Sequence, residues 1–197
     1  MTVKNSMLRD AVPAVLKSLD YRVVSQSSRG VLPGARLVAT KEGKTFRVAV
    51  KVLLERRMNF TRLSATKWRT LSDVDVVIAV APVGDGSDAY EIIAFAAKPL
   101  IACFDQAWKT LKKANRALAF GVPVFIPLDE GSKKNVGHDV ANLMELKDWA
   151  VARSLSEMRA LSSVTAPDTF IDRVKREFAE RNEVDVSKVV VEFRIIT

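Results

Sequence analysis

Residues 35 to 52 read Ala35-Arg36-Leu37-Val38-Ala39-Thr40-Lys41-Glu42-Gly43-Lys44-Thr45-Phe46-Arg47-Val48-Ala49-Val50-Lys51-Val52. Two runs rich in β-branched residues flank Glu42-Gly43, the pattern of two strands joined by a two-residue turn. If Glu42 and Gly43 form the loop, the pairing is fixed: Lys41 faces Lys44, Ala39 faces Phe46, and Arg36 faces Ala49. Side chains on one face of a strand recur every second residue, so Arg36, Ala49 and Lys51 share a face.

Outward from the hairpin, Met7, Leu8, Ala11, Val12, Val15, Leu16 and Leu19 recur at helical spacing, with Asp10 as a cap that would make Pro13 tolerable. A first strand follows over Tyr21 to Ser25, and a loop over Ser27-Ser28-Arg29-Gly30 and Leu32-Pro33-Gly34 leads into the hairpin. Beyond Leu53, residues 55 to 64 are too polar and irregular for a core element, and a short helix capped by Ser64 is expected around Trp68. Val74 to Ala81 and Tyr90 to Ala96 are strongly apolar and should be central strands. Phe104, Ala107, Trp108, Leu111, Ala114 and Leu118 define a helix ending near Gly121, and Val122 to Ile126 is another strand.

The hairpin resembles that of the PD-(D/E)XK nuclease superfamily, in which an acid on the second core strand faces a Glu-x-Lys triplet on the third. The matching positions here are Arg36 and Ala49-Val50-Lys51. Asp20-Tyr21-Arg22-Val23 is similar to the family's frequent Gly-Tyr-x-Val at the start of a strand, and the resemblance runs over about residues 5 to 127. It implies an α/β fold, a restriction-endonuclease-like mixed sheet flanked by helices, here with a C-terminal helical and α-β extension. In active members the two acids hold magnesium, which takes hard oxygen ligands, and the lysine assists the attacking water or the scissile phosphate. Only the lysine remains. A guanidinium at position 36 opposes a cation electrostatically, and Ala49 offers no ligand.

Residues 129 to 135 lack an apolar period and suggest a division into a core, 1–128, and an extension, 129–197. A helix is expected from Asp139 to Leu161, another capped by Asp168 over Thr169 to Arg181, and a closing strand over Lys188 to Ile196. That closing pair could join the sheet edge or a second copy. The 48% hydrophobic content, with seven Pro and eight Gly, is that of a globular chain rather than a disordered one. The single cysteine, Cys103, excludes an intramolecular disulfide and reads as core packing. Residues 1 to 6 carry no apolar leader segment, and no run of 18 apolar residues occurs, so a cytoplasmic protein without membrane contact is expected.

Charge is unevenly spread. Residues 1 to 69 hold 15 Lys and Arg against four Asp and Glu, whereas residues 70 to 105 hold one Lys against six acids. A basic half of this kind suits a polyanion, nucleic acid first. Trp68 lies between Lys67 and Arg69 and is the tryptophan that could stack on a base, whereas Trp108 and Trp149 read as core. His138 stands alone at a helix start, which excludes a zinc cluster, and no phosphate-cradling glycine loop occurs.

The leading expectation is a non-catalytic, nuclease-like protein that binds nucleic acid, DNA in the first instance, without cofactor or metal. The binding face comprises Arg36, Lys51, Arg56, Arg57, Arg62, Lys67 and Arg69, with Lys51 the remnant of the catalytic set. The alternatives are a protein-interaction or structural subunit, pairing with a protein partner or a second copy through the extension, and a magnesium-dependent nuclease with displaced carboxylates. For the last, Asp20 and Glu55 are available, while Glu42 sits at the turn tip.

Overall fold

The computed structural model describes residues 3–25, 37–84, 86–115, 117–129, 142–164, 178–179 and 181–182. The chain divides into two compact units, Met1–Thr165 and Ala166–Thr197. In the first, helix α1 (Val3–Ser18) leads into strands β1 (Arg22–Ser25), β2 (Leu37–Lys41), β3 (Lys44–Val52) and β4 (Arg57–Thr61). Next come β5 (Val76–Pro82), β6 (Ala89–Ala96), α2 (Ala97–Ala114), β7 (Pro123–Pro127), β8 (Lys147–Ser154) and α3 (Leu155–Val164). The described part of the second unit, 178–179 and 181–182, is helical.

Six strands form one mixed sheet in the order β1-β2-β3-β5-β6-β8, and β4 and β7 form a separate antiparallel ribbon. The first three strands are an antiparallel meander, β3 and β5 run parallel, and β5, β6 and β8 are again antiparallel. The hairpin register is the one expected: Lys41 lies opposite Lys44 and Ala39 opposite Phe46. Glu42 (φ 51°) and Gly43 (φ 75°) both take left-handed conformations, as a two-residue turn that follows the strand twist requires. Arg36 lies outside the described residues, so the third expected pair has no counterpart to examine.

β5 is apolar throughout, and the buried residues of β3 and β6 are apolar, because both faces of the sheet are covered. On one side Leu37, Ala39, Val48, Val50, Ile78, Val80 and Ile92 pack against Leu8, Val12, Val15 and Leu16 of α1 and Met158 of α3. On the other, Ala49, Val77, Ala79, Ile93 and Phe95 meet Leu100, Phe104 and Trp108 of α2, together with Met58, Phe60, Val124 and Ile126 of the ribbon. Odd and even residues of β3 thus serve two different cores, and Ala49 and Lys51 project toward the α2 and ribbon side.

Several expectations are corrected. Residues 57 to 61 form a strand, since Met58 and Phe60 are buried while Arg57, Asn59 and Thr61 alternate with them, a period of two inside a polar stretch. No α-helix surrounds Trp68; an isolated bridge joins Arg62 to Trp68, and the nearest helical turn is a 3-10 turn at Leu71–Asp73. Over Asp139 to Leu161 the described residues give a 3-10 turn (Leu143–Leu146), strand β8 and the start of α3 instead of one helix. β8 is an edge strand paired to β6, where Lys147, Asp148 and Arg153 suit an exposed edge and tertiary pairing overrides helical preference. Asp10 lies inside α1 rather than capping it, and the helix runs continuously through Pro13; α2 begins at Ala97, before Phe104, and ends at Ala114, short of Leu118 and Gly121. His138, the linker from residue 130, most of 169–181 and the closing strand at 188–196 lie outside the described residues.

Because Glu42 has a side chain in a left-handed conformation, Glu42→Asn is expected to stabilise the fold by about 0.5 kcal/mol. Urea denaturation of the two proteins checks this, with an unchanged slope and a higher midpoint for the variant.

Candidate functional site

Beyond Lys51 the chain leaves β3, passes Leu53, whose N–H donates to the Val80 carbonyl at 2.8 Å, and enters the ribbon at Arg57. A cleft of about 600 Å³ lies at this departure. Its walls include Ala49 and Lys51 of β3, Glu55, Arg57 and Asn59 of the connector and β4, and Phe125 of β7. Arg9 of α1 and Thr70 complete them.

Lys51 donates from Nζ to the carbonyl of Asn59 and, at 2.9 Å, to its side-chain Oδ1, and stands 4.3 Å from the centroid of the Phe60 ring. Burial pushes its pKa down to about 8, because the ammonium has lost much of its water. Arg57 donates to Glu55 and lies over the Phe125 ring at 5.9 Å. Thr70 takes φ 71° and ψ −53°, and the N–H of Leu71 donates back to Arg69 at 2.8 Å, a γ-turn with positive φ. That turn is strained for a β-branched residue and belongs to the cleft wall.

The basic residues anticipated from sequence separate into two groups. Lys51 and Arg57 come together in the cleft. Arg56 instead bonds to Asp129, to Glu91 at 2.9 Å and to the Pro82 carbonyl at 2.7 Å, which ties the connector to β6 and to the end of β7. Arg62 is 7% exposed; it bonds to Asp105 and to the Ser64 and Ala65 carbonyls, and its guanidinium lies 5.0 Å from the Trp68 ring. Lys67 is exposed and pairs with Asp73 at 3.6 Å, and Arg69 is exposed. Arg36 is outside the described residues.

Trp68 is 1% exposed, donates from Nε1 to Asp105 at 3.0 Å and packs edge-on against Phe104 and Trp108. Its two basic neighbours in sequence point elsewhere, and base stacking by this ring is corrected to core packing. Arg9, Asn59, Thr70 and Phe125 were not anticipated. Of these only Phe125 carried a local signal: in Pro123-Val124-Phe125-Ile126-Pro127 it falls on the opposite face from Val124 and Ile126.

Of the acids considered as replacements, Asp20 occupies a left-handed turn after α1 and Glu42 the hairpin tip, while Glu55 lines the cleft but is bound to Arg57. Among the described residues no three His, Cys, Asp or Glu side chains gather as metal ligands would. Burial pushes the Cys103 thiol up to about 11, the behaviour of a packing residue rather than a nucleophile. No helix among the described residues is long and apolar enough to cross a membrane.

No family model and no curated protein matches the chain. A solved structure of a bacterial homing endonuclease, I-Ssp6803I, is similar over 84% of this chain and 96% of that one, with a TM-score of 0.40 and 11% identity.

The two groups of arginine should differ in stability experiments. Removing Arg62 leaves Asp105 and the Trp68 loop without their shared partner, so Arg62→Ala is expected to cost about 3 kcal/mol, and Arg56→Ala about 2 kcal/mol. Arg57→Ala breaks a solvent-facing pair and should cost no more than about 1 kcal/mol. Chemical denaturation of the three variants gives this order.

Proposed function

We propose that the protein binds nucleic acid, DNA in the first instance, through the cleft beside Lys51, and holds it without cleaving it. One observation carries the reading: Arg9, Lys51 and Arg57 line the same cleft against a single carboxylate, Glu55. A phosphodiester entering there would meet a guanidinium suited to two-point contact at Arg57 and an ammonium at Lys51. The non-catalytic part rests on Ala49. It precedes Lys51 by two residues on the same strand, where the resemblance places a magnesium-binding glutamate, and it is a 1% exposed methyl group within the apolar core.

Because Arg56 and Arg62 are engaged away from the cleft, and Lys51 and Arg57, which line it, would exchange their bonds to Asn59 and Glu55 for a phosphate, the phosphate-contacting cations are fewer than the charge count implies. With Arg9, Lys51 and Arg57 as the core of the surface, log K against log salt should have a slope of about −2 to −3 on DNA, with about one unit lost in Arg57→Ala. Fluorescence anisotropy with a labelled oligonucleotide at several salt concentrations measures it, and a slope near zero would sink the proposal. The same titration with RNA of equal sequence tests the choice of DNA.

Affinity should also depend on pH. The phosphate contact needs the ammonium form of Lys51, which prevails below about pH 8, so binding above that value must first take up a proton. Affinity is therefore expected to fall as pH rises from about 7 to 9, and Lys51→Arg, whose guanidinium stays charged throughout, should flatten the profile. An unchanged slope with pH in that variant would remove Lys51 from the binding surface.

A further inference from the structure

The outer face of the β4–β7 ribbon carries an aromatic ring that the core does not need. β7 alternates strictly: Val124 and Ile126 are buried, whereas Phe125 is 42% exposed. In the ribbon register Phe125 lies opposite Asn59 and Arg57 lies opposite Pro127, so Arg57, Asn59 and Phe125 project from one face. Asn59 is also the residue that accepts from Lys51. Lys51, Asn59, Phe125 and Arg57 thus form one continuous path along the cleft, in which two cations flank an accessible aromatic surface.

A single exposed ring needs no cover by itself, and Leu54 and Phe120 are more exposed; Phe125 differs in sharing a cleft with Arg57 and Lys51, which selects what would cover it. A protein partner that covered Phe125 with apolar side chains would also have to desolvate Arg57 and Lys51, whereas a nucleotide offers a flat base for the ring and an anion for the cations at once. Stacking on a base requires that the base be unpaired or at an end, because in an intact duplex its faces are occupied by neighbouring base pairs. We infer that the cleft is a single-strand site, in which Phe125 stacks on one unpaired base while Arg57 and Lys51 hold the adjacent phosphates. This rests on the nucleic-acid reading above and adds the class of strand and the residue that selects it.

The test uses the full chain and three probes of the same length: a mixed-sequence single-stranded DNA, the duplex of that sequence with both ends closed by covalent linkers, and a single strand abasic at every position. Phe125→Leu keeps apolar bulk and removes the π face, and Phe125→Tyr keeps both; circular dichroism and thermal melting establish that each variant is folded. Phe125→Leu is expected to weaken single-strand binding by about 5- to 100-fold, the loss of one base stack, while Phe125→Tyr binds like the parent. Duplex binding and abasic-strand binding should each change less than about twofold, since neither uses the ring. A 2-aminopurine in the single strand should be quenched by the parent and not by Phe125→Leu. Equal losses on all three probes, or no loss on the single strand, would overturn the inference. If duplex and single strand bind the parent with the expected salt slope but Phe125→Leu changes nothing, this inference alone falls; if no probe binds the parent, the nucleic-acid reading falls with it.

Discussion

Two parallel strands cannot be joined by a tight turn. β3 and β5 pair in parallel, Val48 with Val76 through Val52 with Val80, so the chain after Val52 must return over one face of the sheet before it can begin β5. Here residues 53 to 75 make that return with no α-helix, only one 3-10 turn at Leu71–Asp73. A helix would satisfy its backbone internally; this crossover does so only in part, with the N–H groups of Leu63, Arg69 and Ser72 donating to Lys67, Thr61 and Trp68, and finds its other partners outside itself. β4 takes them from β7. The stretches on either side are tied down by arginine side chains: Arg56 reaches out of the crossover to the Pro82 carbonyl and to Glu91 and Asp129, and Arg62 reaches the nearby Ser64 and Ala65 carbonyls and, outside the crossover, Asp105. The basic character of this segment is therefore in part the means by which an irregular crossover is held to the sheet.

This division of labour changes what a charge count means. From 41 to 69 the chain carries a net +7, yet Arg56 and Arg62 end in internal acceptors and Arg47 is held by Asp75 in a bidentate pair at 2.8 and 3.0 Å. The Asp75 carboxyl is correspondingly held below its usual range by the Arg47 hydrogen bond. Each tied guanidinium still adds to the long-range potential, but it has few donors left for an incoming phosphate. Lys44, Lys67 and Arg69 are exposed elsewhere on the surface, whereas Lys51 and Arg57 line the cleft at the departure from β3, where the connector has just left the sheet and the ribbon has not yet closed over it.

The sequence made the regular parts legible. Glu42-Gly43 fixed the hairpin and its register, and the apolar runs in β5 and β6 and the helical period of α1 located those elements, because each signal is local; the period around Phe104 and Trp108 found α2 but not its extent, Ala97–Ala114. What was not legible depended on distant partners. β4 looks like a polar loop until β7, more than 60 residues later, supplies its ladder, and β8 looks helical until β6 claims it. The aromatic residues show the same limit most sharply. Trp68 has basic neighbours on both sides, but its bridge to Arg62 turns it inward under Asp105; Phe125 has apolar neighbours on both sides, but strand alternation turns it outward. Neighbours in sequence say little about which face a strand residue takes until its partner strand is known.

The position of Lys51 gives the cleft its particular chemistry. An amine half-removed from water holds its proton less tightly, and the same removal weakens the screening between that charge and any anion that comes close. A phosphate bound beside it would restore the proton affinity that burial took away, so anion binding and protonation reinforce each other at this one site. An exposed lysine such as Lys67, paired with Asp73 at the surface, has little such coupling to give. Burial at the end of β3 thus makes Lys51 a poorer free cation and a more discriminating partner for an anion. That follows directly from the crossover, which places Asn59 and the Phe60 ring over the end of the strand.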